Sequence, residues 1–294
     1  MVRDRLSLAA TAFDGVIDPA GFHAGPSREE ALARLEWLLA ERQRCGLVVA
    51  DTGLGKSHLV AAAARRLGGL GAETAVLSLR GLPEGEWLDL LLARLPLDPA
   101  SRAEAIRPWL ALENRLRENM LMERSTVLVF DDVDAAPVDA LEGIDRLVAA
   151  GEPRFATTIV VATATPGGVA RVPASLRRRA GVRIDLPPWD EGDVAAYVAF
   201  ALERVDAGAD AFSDAAVATI ARFSGGVPRT VCRLARLSAV AAAGEGLDRV
   251  AADTVERAWR ELLPGVGDGE FTDHVERPRQ PTVARVTPVR RLWG

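Results

Sequence analysis

From Arg28 onward, apolar residues recur three and four positions apart. In "REEALARLEWLLAERQR" the residues Ala31, Leu35, Leu38 and Leu39 share one face, the spacing of an amphipathic helix. Ser27, with Glu30 three residues later, supplies a capping box for its start. The pattern then changes period. "GLVVA" (46–50) is a short, continuous apolar run of the kind a buried strand makes, and 57–70 returns to helical spacing and ends at Gly68 and Gly69. Further strands are predicted at 74–79, 125–134, 156–165 and 181–186. Helices are predicted at 84–95, at 101–124, around 138–150, and as a short piece before the last strand. The run "STVLVFDDVD" (125–134) is apolar without alternation, as expected where helices cover both faces of a sheet. Strands alternating with helices predict a three-layer α/β fold with a mostly parallel sheet.

Pro187 and Pro188 end that alternation. Residues 190–205, 213–223, 228–243 and 250–262 all carry helical periodicity, and no strand pattern recurs. The organisation expected is an irregular lead-in over 1–27, an α/β core over 28–187, a small all-α domain over 188–263, and a tail over 264–294. The tail holds Pro, Gly and five arginines and lacks the apolar residues to build a core of its own.

Composition narrows the class. Of the 294 residues 49% are hydrophobic but only 5% aromatic, so the core is built from Ala, Leu and Val. A net charge of −5 gives no global nucleic-acid signature, which leaves a local basic surface open. Cys45 and Cys232 lack metal-ligand spacing and read as free thiols of a reducing compartment. The opening residues carry no secretory pattern, and no uncharged apolar stretch reaches transmembrane length. A cytoplasmic location is expected, with peripheral placement at an inner membrane through a partner left open. Among 36 basic residues, Lys56 is the only lysine.

That lysine lies in "VVADTGLGKSHLV" (48–60). A strand, a glycine-bearing loop and a helix start are what phosphate binding needs. Successive backbone N–H groups wrap the phosphate, and the helix adds its positive end. The candidate nucleotide-binding residues are Ala50, Asp51, Thr52, Gly53, Leu54, Gly55, Lys56, Ser57 and His58. Lys56 reaches the β/γ-phosphates and Ser57 offers a hydroxyl to Mg²⁺. Ala50 stands where the pattern Gly, four residues, Gly-Lys-Ser has its first glycine. Its extra methyl is harmless at negative φ and costs about 1 kcal/mol at positive φ. His58 is read either into the site or onto the helix surface.

A second strand ending in carboxylates completes such a site. Asp131 is the candidate for the metal shell, and Asp132 for polarising the attacking water. Aspartate is shorter than glutamate by one methylene, about 1.5 Å, and misplacement on that scale costs about 10²-fold in rate. At the end of the next strand, Thr163 or Thr165 is expected to sense the γ-phosphate or water. Asp134 reads as a turn or cap residue. Of Arg177, Arg178 and Arg179, the last two lead as a guanidinium offered to a neighbour's phosphate. Arg229, in the first turn after Pro228, is placed to lean over the nucleotide, while Arg233 and Arg236 read as solvated or interfacial.

These residues carry a resemblance. Residues 12–262 resemble the AAA+ ATPases of the general-secretion protein A-like group, whose relatives include pilus ATPases and transposition regulators. The match runs through "REEALARLEWLLAERQRCGLVVADTGLGKS", "VLVFDD", "SLRRRAGVRIDLPPWDEGDVAAYVAFAL" and "FSDAAVATIARFSGGVPRTVCRLARLSAVAA". The resemblance implies ATP and Mg²⁺ bound between the core and a helical lid. It also implies homo-oligomers with shared nucleotide sites, and a protein partner in a secretion, pilus or transposition system. It places Lys56 and Ser57 on phosphate and Mg²⁺, Asp131 on the metal, Asp132 on water and Arg229 as second sensor. The chain departs from the group at Ala50, at Asp132 and at Thr165, where glutamine is common. An ATPase that changes assembly or partner contacts is the leading expectation. A nucleotide-binding scaffold with little hydrolysis and an ATP-dependent DNA-binding regulator are the alternatives.

Overall fold

The computed structural model describes residues 2–18, 21–97, 107–149 and 156–262, with side chains from Arg5 onward. The elements in chain order are α1 (Val2–Thr11), α2 (Pro26–Ala40), β1 (Cys45–Val49), α3 (Lys56–Gly69), β2 (Glu73–Ser78), α4 (Trp87–Arg94), α5 (Pro108–Leu121), β3 (Thr126–Asp131), α6 (Val138–Val148), β4 (Thr158–Ala164), α7 (Ala174–Arg179), β5 (Ala180–Asp185), α8 (Glu191–Arg204), α9 (Asp214–Ser224), α10 (Pro228–Glu245) and α11 (Ala252–Leu262). The tail over 264–294 and the helix start expected at 101–106 lie outside the described residues.

The five strands form one parallel sheet in the order β2–β3–β4–β1–β5. Alternate side chains of each strand leave on opposite faces, and both faces are covered. From β3, Leu128 and Phe130 join a core with α4, α5, α6 and Leu176 of α7. Val127 and Val129 join the opposite core with α2 and α3. Double coverage explains the unbroken apolar runs of β1, β3 and β4, whose residues are buried throughout. The edge strand β5 alternates instead, with Arg183 and Asp185 exposed and Ile184 inside.

The third core belongs to α8–α11, and it corrects the expected irregular lead-in. Residues 2–11 form α1, and Leu6, Ala9, Ala10 and Phe13 are buried in the core of the helical lid. Phe13 packs edge-on to Phe212 and Tyr197. Gly15, Gly21 and Gly25 belong to the connector that follows α1. The capping box expected at Ser27 is also absent: α2 starts at Pro26 with Gly25 as N-cap and no side-chain cap. A reciprocal box occurs at α8, where Asp190 and Asp193 each bond the other's backbone N–H.

Candidate functional site

A parallel open sheet presents its binding crevice at the carboxyl ends of its strands. Here β1 ends at Val49 and runs into the loop that opens α3. Gly53 and Gly55 adopt φ of +92° and +91°. Ala50 is not in the left-handed region, so its methyl sits without backbone strain. Lys56 is 7% exposed and donates from Nζ to the carbonyls of Ala50 at 2.8 Å and Asp51 at 3.3 Å. Leu54 is buried beneath the loop, while Asp51 and Thr52 face solvent. The loop's ammonium is therefore held at its mouth by weak acceptors that a phosphate would replace.

At the end of β3, Asp131 is buried and both its oxygens are engaged. Ser57 Oγ donates to Oδ2 at 2.5 Å, and Thr163 Oγ1 donates to Oδ1. Thr163 also accepts the backbone N–H of Asp132 at 2.9 Å. Of the two threonines considered as sensors, Thr163 thus fixes both acidic residues. Thr165 is committed elsewhere: its hydroxyl and its N–H both go to Asp134 Oδ2, and its Oγ1 accepts from Gly168 N–H. Asp134 is therefore a loop clasp. Burial raises its pKa, but the bonds from Thr165 and the nearby Lys56 prevail and hold it below the usual carboxylate value.

Asp132 has a left-handed backbone, φ +56°, and its Oδ2 accepts from Arg80 Nε at 2.9 Å. Arg80 follows β2, which pairs with β3 so that Ser78 lies beside Asp131. The sequence reading missed Arg80. Its only signal was position, two residues beyond the strand that neighbours the acidic one.

The lid closes on the loop through the start of α10. Arg229 N–H donates to the carbonyl of Gly53 at 3.2 Å. A Cβ on Gly53 would stand 3.0 Å from Val227 Cγ1 and 3.3 Å from Arg229 Cβ, so glycine is needed there for the approach as well as for φ. Gly226, at φ +70°, accepts from Trp189 N–H at 2.9 Å, and a Cβ there would strike the Trp189 carbonyl. The "GGVPR" turn is built to bring Arg229 onto the phosphate loop.

His58 lies on the inner side of α3, facing the backbone of Val16. Burial lowers its pKa first; the Val16 backbone opposes this, Arg229 adds to it, and Asp131 opposes it. A second group was not foreseen. The Arg28 side chain, 3% exposed, donates to the carbonyl of Leu54 at 3.3 Å and lies over the Trp189 ring. His23 Nε2 and Trp189 Nε1 are buried without partners. Burial also lowers the His23 pKa, against the pull of Asp193 and with the help of Arg28. These two orphaned polar atoms lie where the connector, α2 and the lid meet.

Arg177 bonds the carbonyl of Val172 at 3.1 Å, and Arg178 and Arg179 are exposed. Ala180, next in the chain, pairs with Cys45 at the start of β1. The arginines thus lie at the opposite end of the sheet from the phosphate loop, about 16 Å away for a five-residue strand. They do not reach the loop of their own chain.

No protein-family model matches the chain, and no curated protein matches it in sequence. Solved structures do. The Aeropyrum pernix ORC2 protein in its ADPNP–ADP complexes superposes with a TM-score of 0.65 at 15% identity, covering 85% of this chain and 71% of that one. Cdc6p from Pyrobaculum aerophilum gives 0.64 at 20% identity, covering 87% and 72%. The Thermotoga maritima RuvB Holliday junction branch migration motor gives 0.55 at 19% identity, covering 81% and 70%. This is the AAA+ fold. The phosphate loop, the acidic end of β3 and the lid arginine all lie at the cleft between the AAA+ core and its lid. These likenesses show the fold and do not single out the narrower secretion and pilus group that the sequence resembles.

Among the described residues, no cluster of three His, Cys, Asp or Glu side chains could hold a metal ion. The contact between the Ser57 hydroxyl and the Asp131 carboxylate supplies two hard oxygen donors. That set fits Mg²⁺, which keeps waters and substrate phosphates as its remaining ligands. No helix among the described residues is long and apolar enough to cross a membrane.

Proposed function

We propose that this chain is an ATPase that binds ATP with Mg²⁺ between the phosphate loop and the lid, and uses it to change its assembly state or its grip on a partner. The observation that carries this reading is the convergence of Lys56, Ser57, Asp131, Thr163 and Arg229 at one end of the sheet. The loop N–H groups and the α3 N-terminus hold the phosphates. Lys56 moves from the Ala50 and Asp51 carbonyls onto them. Ser57 and Asp131 would hold Mg²⁺, which would supply neutralisation of charge on the phosphate oxygens. Asp132, once released from Arg80, orients the water in line with the γ-phosphate. Arg229 would sense the γ-phosphate from the lid, and His23 Nε2 and Trp189 Nε1, buried without partners, would be the polar groups offered to the base. Steady-state ATP turnover, with Lys56→Ala as control, tests the reading; turnover equal to that control would overturn it.

Arg178 or Arg179 acts on the nucleotide of a neighbouring copy. Their exposure at the far end of the sheet supports a homo-oligomer with shared sites. The resemblance to the general-secretion group supports a protein partner in a secretion or pilus system. That would place the chain in the cytoplasm or at a membrane through the partner. A second reading is an ATP-dependent DNA-binding regulator of the transposition type. It is supported by the shared fold with RuvB, a branch migration motor, and by unpaired arginines on the lid. The ion pair that holds Asp132 favours slow hydrolysis in the absence of a partner.

A further inference from the structure

The AAA+ lid carries a charge pattern that the proposed nucleotide site uses only at its first member, Arg229. Across α8–α11, Arg204, Arg222 and Arg257 each reach a carboxylate, whereas the exposed Arg249 and Arg260 reach none among the described residues. On α10 three such unneutralised arginines are gathered. Arg229, Arg233 and Arg236 are all exposed. Their guanidinium groups make no hydrogen bond or ion pair with any described residue. Their spacing, four and then three residues, puts them on one face. Glu245, in the last turn, is the only acidic residue of the helix, and the N-terminal end adds its own positive field.

A second feature continues this stripe. Between α10 and α1 lies a groove of about 460 Å³ lined by Arg236 and Val240 on one side and Ser7, Ala10 and Thr11 on the other. Arg236 therefore belongs to both features, and two hydroxyl-bearing residues lie across from it. By helix rise, Arg229 to Arg236 spans about 10 Å. One strand of duplex DNA places a phosphate about every 3.4 Å along its axis, so three or four phosphates match the stripe.

We propose that the exposed face of α10, with its groove against α1, is a track for a nucleic-acid backbone, with Arg233 and Arg236 on the phosphates and the Ser7 hydroxyl beside them. The chemistry selects phosphodiester over a protein surface. The stripe carries bare charge without the aromatic anchors that dominate protein hot spots, and its one exposed apolar neighbour in the groove is Val240. Because Arg229 heads the same helix and bonds Gly53 of the phosphate loop through its N–H, the track starts at the nucleotide. Occupancy of either site then bears on the lid that both share. Phosphate contacts read no base, so binding along the track is independent of sequence.

The inference rests on the DNA-acting reading above and not on ATP turnover. The test is fluorescence anisotropy of the full chain with a labelled random-sequence duplex and single strand, at several salt concentrations, without nucleotide, with ADP and with ATP. Arg233→Ala with Arg236→Ala should weaken binding at least about tenfold. It should also make the slope of log affinity against log salt shallower by about two, one per lost phosphate contact. Arg233→Lys with Arg236→Lys should retain most of the affinity, and thermal midpoints and basal ATP turnover should be unchanged. Unaltered affinity and slope in the double alanine variant, with a wild type that binds, would overturn the track alone. A wild type that binds neither probe would remove the DNA-acting reading as well. Altered self-association in the alanine variant with nucleic-acid binding intact would assign the stripe to an acidic protein face and overturn the proposal.

Discussion

Arg80 Nε donates to Asp132 Oδ2 at 2.9 Å, so the carboxylate assigned to the attacking water is held by a cation from the neighbouring strand's exit. An exposed pair of this kind is weak, and Arg80 is itself 58% exposed. It is a restraint that a partner or nucleotide can release. Replacing Arg80 by Ala should therefore raise basal ATP turnover several-fold, with ATP affinity unchanged. Single-turnover and binding measurements separate the two; a fall in turnover would show instead that Arg80 holds Asp132 in its working position.

In the proposed reaction Asp132 would also set the reach. Its side chain is about 1.5 Å shorter than a glutamate. Asp132→Glu should increase turnover by up to about 10²-fold if reach is the limitation. Asp132→Asn should abolish turnover while leaving nucleotide bound. The ratio of kcat between the Glu variant and the wild type checks this directly.

The phosphate loop should respond differently at its two unusual positions. Ala50→Gly should leave nucleotide affinity nearly unchanged, because Ala50 has no positive φ to relieve. Gly53→Ala should impair it. The new methyl costs about 1–2 kcal/mol in the left-handed region, and it stands 3.0 Å from Val227 Cγ1, so the lid start is pushed off the loop. Titration with a fluorescent ATP analogue, beside thermal midpoints, reads both.

Acid should loosen the same region. His23 and His58 have folded pKa values below the usual 6.5, mainly through burial. The folded state therefore prefers both imidazoles neutral. Their contribution to stability is full above pH 6.5 and is lost as pH falls through the lower folded values. Thermal midpoints should drop on acidification through that window. They should drop less in a chain with His23→Gln and His58→Gln; equal slopes would refute the assignment.

The strands and the candidate nucleotide-site residues were legible because their signals are local. A continuous apolar run followed by glycines, lysine and serine fixes both a strand exit and a helix start, and "VLVFDD" announces its own burial. What could not be read depended on distant partners. Arg80 acquires meaning only when β2 is registered against β3. Arg28 and Trp189 meet only after the lid folds back over α2. Thr163 and Thr165 look equivalent in the chain, yet strand pairing turns the first toward Asp131, and the loop turns the second toward Asp134. The α1 helix was missed because the prolines and glycines that follow it dominate the composition of the first 27 residues. Its three buried apolar side chains, with Phe13 just beyond it, are matched to a core more than 180 positions away.

That first helix has a mechanical corollary. The chain leaves the lid at Phe13 and enters the core at Pro26, and returns from β5 to α8, so two connections tie the lid to the core. The strap between those points cannot exceed about 45 Å when taut, and His58 already packs against its Val16 backbone. Any outward swing of the lid must draw on that slack and pull the strap off α3. The travel of the lid is thus bounded by a leash of fixed length, and shortening the leash should lock the cleft as firmly as any ligand.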